Sequence, residues 1–274
     1  MRNSTFSESM WGPALDSDAD EFIDKAWEAE TASVQLKWAR RALVADLDCI
    51  DGYILVSHHT HTEAEHLALL REAVRIGDRL WAPYLKRKDM RWWSFVGTRP
   101  YMRAMHELGL ALMEGGELAE AETIFKTLLK LNPKDNQGIR ELAGQVYLLG
   151  QRYEDFLKLA AKFKRDGLLS TNMGLLACAL GMEDYDLAHM RAERVRSINA
   201  HALPMMGLAL RRFARPRPNP SPYAAWGSEE EASGYIEAFW DIWTEEKLRA
   251  LFLSSFAQES RAYVPQAKKG QKLH

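Results

Sequence analysis

The sequence predicts an all-α protein built from paired helices, and three observations carry that reading. Apolar residues recur at three- and four-residue spacing almost throughout from Glu21 onward. Strand signals are missing: no stretch alternates polar and apolar residues for long, and no Asn-Gly hairpin turn occurs. A helix–turn–helix pattern also recurs along the chain, the mark of a repeat architecture.

Residues 1–20 are polar and acidic, with Pro13, Asp16, Asp18 and Asp20, and read as a mobile lead-in. Phe22, Ala26, Ala29 and Ser33 then fall at helical spacing, as do Leu36, Ala39, Ala42 and Leu43. Residues 53–73 look like a further pair, interrupted near 58–63. The clearest unit is 103–136, with Met105, Leu108, Gly109, Leu112, Gly116, Leu118, Ala121, Phe125, Leu128, Leu131 and Pro133. Gly115-Gly116 breaks its apolar run, and Asn132-Pro133 closes it, because proline disfavours helix at the residue before it. Gly109 and Ala121 are expected to face each other where the two helices cross.

The next unit carries Ile139, Leu142-Ala143, Val146, Gly150, Tyr153, Phe156, Leu159 and Phe163, and the one after it Leu175, Ala179, Asp184-Tyr185, Ala188, Ala192 and Val195. About five pairs fill 21–210. Residues 211–227 form a Pro- and Arg-rich loop, since so many prolines cannot sit in a helix. Ser228-Glu-Glu-Glu231 reads as a capping box opening a C-terminal helical cap over 228–257. Thr244 is expected to cap the last helix, and 258–274 is a basic tail. Asp135 or Asn136 is expected to cap the helix after it, with Gly138 letting a neighbour come close.

The spacing of Leu108-Gly109, Leu112, Gly116, Ala121, Phe125 and Pro133 resembles the tetratricopeptide repeat, with Met105 in place of the usual Trp. The segments 98–104, 132–140, 199–204 and 227–235 look more narrowly like bacterial tetratricopeptide proteins related to the suppressor of tumorigenicity 7 protein. That resemblance covers about 35–255. It implies a right-handed superhelix of helix pairs, an α-solenoid serving as an interaction scaffold, and no agreed reaction.

In such a repeat the first helices line a concave groove. The groove positions here are Arg103, His106, Leu110, Met113 and Glu114, then Gln137, Arg140, Gly144, Tyr147 and Leu148. Arg103 should neighbour Gln137, and His106 should neighbour Arg140. Arg99 and Tyr101 sit just before them. A basic and aromatic patch of this kind suits a peptide carboxylate through charge-assisted hydrogen bonds. The alternative is that these arginines pair with Asp135, Glu107 or Glu141 and fix repeat against repeat. The patch differs from the chaperone-tail clamp of some tetratricopeptide proteins, which wants Lys and Asn where His106 with Leu110, and Arg140 with Gly144, stand.

His58, His59, His61 and His66, with Glu63 and Glu65 between them, are ligand types for zinc or nickel. Their spacing matches no tight site, and a solvated turn is the competing reading. Catalytic templates are absent: there is no Gly-x-Ser-x-Gly elbow, no phosphate loop and no Cys-x-x-Cys. Cys49 and Cys178 read as packed thiols. Trp92, Trp93 and Phe95 follow the basic run 86–88 and serve either to pack a connector or to anchor a partner. Trp226, Trp240 and Trp243 look like glue for the last helices.

The chain has 274 residues, 36 basic against 38 acidic, so no net field favours nucleic acid. Its apolar stretches, such as 174–181, are too short to span a membrane. The N-terminus has no apolar signal core, and two cysteines make no disulfide framework, so a reducing cytoplasm is expected. Together these features predict a non-catalytic cytoplasmic adaptor that binds another protein or peptide in its groove and needs no cofactor. A metal-binding enzyme or regulator using the histidines, or a homo-oligomeric structural protein, are the alternatives.

Overall fold

The computed structural model describes residues 18–87, 90–163, 166–217 and 224–256. Nearly all of the expected lead-in, the whole basic tail and the middle of the 211–227 loop lie outside them. The described residues form fourteen α-helices and one 3-10 turn, with no strand, so the fold is all-α. Among them no helix is long and apolar enough to cross a membrane. Packing divides the chain into two compact units, one ending at Ala143 and one beginning at Gly144.

The first unit contains α1 (Asp20–Trp27), α2 (Ala32–Ala45), α3 (Ile50–Ser57), α4 (Glu63–Trp81), α5 (Arg99–Glu114), α6 (Leu118–Leu131) and the start of α7 (Ile139–Leu149). From α1 to α6 each helix packs on the next, and α3 also touches α5. Local chemistry sets the starts. The Thr31 and Thr62 side chains accept from Val34 N and Glu65 N, satisfying amides that helix geometry leaves open. The α3–α4 break falls at 58–62, within the interruption the sequence marks.

Small residues keep α1 and α2 close: Ala19, Ala26, Ala39 and Ala42 are fully buried with Ile23 and Leu55. After α4 the chain wraps an aromatic knot. Trp81 meets Tyr84, Trp92 and Phe95, and Trp92 meets Tyr101. A Thr98 hydroxyl fastens this connector by donating to the carbonyls of Trp92 and Phe95. Between α5 and α6, Gly109 lies against Phe125: a Cβ on Gly109 would stand 2.5 Å from the Phe125 ring. The ring of Phe125 is fully buried there, and the glycine makes room for it.

The turn into α7 is made by Asp135, not Asn136. The Asp135 carboxylate accepts from Ile139 N at 2.7 Å and Arg140 N at 3.2 Å. Gly138 has φ of +74° and open space around its Cβ position. Its role is therefore conformational, not the close approach expected of it.

The second unit holds the rest of α7, then α8 (Tyr153–Ala160), α9 (Leu169–Gly181), α10 (Tyr185–Ile198), α11 (Ala202–Arg212), α12 (Glu229–Ala238), α13 (Trp240–Trp243) and α14 (Glu246–Ser255). Phe156 of α8 lies against two glycines, Gly144 on α7 and Gly174 on α9, and a Cβ at Gly174 would overlap its ring. Helix α11 runs to Arg212, slightly past the expected end of the paired region, and stops at Phe213 in the left-handed conformation.

The cap at Ser228 forms as expected on one side, with its hydroxyl accepting from Glu231 N at 3.1 Å. On the other side, Glu231 accepts from Gly227 N at 2.7 Å and from the Asn199 amide at 2.9 Å. It thereby ties the start of α12 to the end of α10. Thr244 does not cap α14. Its hydroxyl donates back to Trp240 O, and Glu245 does the capping, accepting from Lys247 N and Leu248 N. Trp243 is fully buried and donates to the Tyr235 hydroxyl at 2.8 Å. Trp240 is also buried, but Trp226 is 73% exposed and is not the internal glue expected of it.

Three of the hairpins share one turn. Glu117 N donates to Leu112 O at 2.8 Å, Arg152 N to Tyr147 O at 2.8 Å, and Asp184 N to Ala179 O at 2.9 Å. The residue before each donor is left-handed: Gly116 at +81°, Gln151 at +53° and Glu183 at +61°. Its own amide reaches back three residues, to Met113, Leu148 and Leu180. This double closure satisfies the last carbonyls of the first helix and sends the chain straight into the second.

Candidate functional site: the polar seam of α5

Helix α5 starts at Arg99 and carries Pro100 in its first turn, where a missing amide is no loss. Its period brings Arg103 and Glu107 onto one face, four residues apart. Arg103 meets Asp51 of α3 in a two-pronged ion pair, Nε to Oδ1 at 2.9 Å and Nη2 to Oδ2 at 3.0 Å. Asp51 is 8% exposed, and the guanidinium also lies 5.2 Å from the Trp27 ring centre. One turn on, Glu107 sits 3.6 Å from His58 Nε2. The His58 imidazole, with His106 and His66 nearby, holds the Glu107 carboxyl below its usual range. Burial likewise pushes the half-buried His106 imidazole below its usual value, against the pull of Glu107.

The remaining expected residues have distinct places. Tyr101 is 2% exposed, and its hydroxyl donates to Asp78, so its contacts are internal. Burial and that carboxylate push its own ionisation upward. Arg99 is exposed, with its guanidinium over the Trp93 ring at 5.1 Å. Gln137 donates to the Met102 carbonyl at 3.4 Å. Arg140 pairs with Asp135 at 2.8 Å. In the second unit Tyr147 is buried, with the Arg152 guanidinium 5.0 Å from its ring centre.

The histidines do not converge. His59 Nε2 meets the Gln35 side chain at 2.8 Å, His66 Nδ1 meets the Ser57 carbonyl at 2.9 Å, and His61 is exposed. Among the described residues no three His, Cys, Asp or Glu side chains come together as a metal would need. Comparison with models of known families and with curated proteins gives no match.

Of the two readings of the arginines, pairing with Asp135 describes Arg140. The acid that holds Arg103 is Asp51, which sequence reasoning missed. Asp51 lies 52 residues away in an apolar helix, and the only signal was a carboxylate set among residues otherwise destined for the core. Glu107 was visible as a candidate partner for arginine, but its contact is His58. Both thiols are packed as expected, and burial raises each to about 12.

Proposed function

We propose that the chain is a non-catalytic interaction scaffold of tetratricopeptide-like helix pairs, with its last helices as a cap, working in the cytoplasm. It holds a segment of another protein along the first helices of its pairs. The observation that carries this reading is the turn shared by the α5–α6, α7–α8 and α9–α10 hairpins, with the same two backbone hydrogen bonds at each. A chain that repeats one hairpin presents a series of equivalent helix faces, and such faces are binding surfaces in repeat proteins.

Arg99, Arg103 and His106 are the partner-facing groups of this reading, with Gln137 in support. Tyr101, Arg140 and Tyr147 support it by holding the helices in register. An acidic segment suits Arg99 and Arg103, since guanidinium–carboxylate pairs combine charge with fixed geometry.

Affinity capture from native lysate, read by mass spectrometry, tests this. A protein retained by the wild type and lost by an Arg99→Ala/His106→Ala variant of unchanged helical content is the expected result. Equal capture by both removes the α5 face from the proposal, and no specific capture removes the scaffold reading.

A further inference from the structure

We propose that the connector before α5 and the turn after α6 form a binding pocket for a small organic anion with a flat apolar body. The pocket is an open cavity of about 400 Å³ in the first unit, within the size range of ligand sites. Trp92, Trp93 and Pro133 give it apolar walls, and Arg91 and Lys134 stand at it with exposed cationic side chains.

The floor is polar as well: Asn132 lines the pocket and is 4% exposed. Ser94 and Asn136, both exposed, add further donors at the edge.

Among the described residues, the charged side chains that line the pocket have one sign. Arg91 and Lys134 form no ion pair with a described residue, and Arg99 lies over Trp93. No Asp or Glu is among the lining residues. The adjacent acid, Asp135, is buried, with its carboxylate engaged by Ile139 N, Arg140 N and the Arg140 guanidinium. Two cations, polar groups at the edge and indole walls together recognise an oxyanion carried on a ring. They suit a neutral molecule less well, and a bare inorganic ion leaves the apolar walls unused.

The shared chemistry is the oxyanion, and carboxylate and phosphate monoester are its two sources. Calorimetric titration of the full chain with benzoate, phenyl phosphate, inorganic phosphate and benzyl alcohol separates them. Benzoate or phenyl phosphate should bind, and the tighter of the two names the group. Lys134→Glu, on an exposed side chain that carries no fold contact, should weaken that probe at least about tenfold. Arg91→Glu, which reverses the other exposed cation, should weaken it likewise, and the double variant Lys134→Glu/Arg91→Glu should abolish binding. The proposal is overturned if neither ring-bearing anion binds, if benzyl alcohol or inorganic phosphate binds as tightly, or if Lys134→Glu leaves the affinity unchanged.

Discussion

Asp135 does three things at one position. It adopts the left-handed conformation, caps α7 through two amides, and takes the Arg140 guanidinium. Asp135→Ala removes the cap and leaves a partly buried guanidinium without that carboxylate, and should cost about 3 kcal/mol. Asp135→Asn keeps an acceptor and tolerates a positive φ, and should cost about 1 kcal/mol. Urea unfolding at constant slope measures both, and equal losses would show that geometry is not what the aspartate supplies. His106 gives a pH dependence at the same scale. Its folded value lies below the usual 6.5, so the unfolded chain takes up the proton first. Its contribution is therefore complete above about 6.5 and falls as the pH drops below it. One group contributes no more than about 1.4 kcal/mol per pH unit. Wild type should lose more stability than His106→Gln between pH 7 and 5.5, with His58, His66 and Glu107 unchanged in both. Parallel curves would assign the acid sensitivity to those neighbours.

At the scale of elements, helix existence was legible because the apolar period of 3.6 survives even in weak units such as α9–α10. The ends were less legible. A cap is chosen by which oxygen reaches the open amides, and Thr244 and Glu245 look equally suitable as letters. The structure uses Glu245 because Thr244 is still in the preceding turn and bonds Trp240. The Arg103–Asp51 pair was illegible for another reason: contacts between helices of different pairs depend on their rotation, which periodicity alone leaves open. The candidate residues were found by register, but their partners were not. The shared turn yields a prediction that letters alone would miss. Gln151 pays for a left-handed conformation that Gly116 adopts freely at the equivalent place. Gln151→Gly should stabilise the chain by about 0.5–1 kcal/mol, seen as a higher thermal midpoint, whereas a lower midpoint would mean that the side chain itself holds the turn.

The whole molecule has two compact units, and each carries one cysteine: Cys49 in the first and Cys178 in the second. Both thiols are held neutral by burial, so reaction with a thiol reagent requires local opening. Cys49 is half-buried and Cys178 buried. At pH 8 Cys49 should be labelled first, and the two rates should rise with urea along different slopes, as expected where two units open separately. A single common rate and slope would instead describe one all-or-none structure.

The hairpin turn has a further consequence for how such a chain can change over generations. Its closure is written in main-chain amides and carbonyls, and Gly, Gln and Glu all occupy its left-handed position. A duplicated copy therefore inherits a working corner while its side chains drift, at a modest conformational penalty per copy. Divergence can erase the spelling of a repeat long before it disturbs the shape, leaving every exposed position on the copy open to a new assignment.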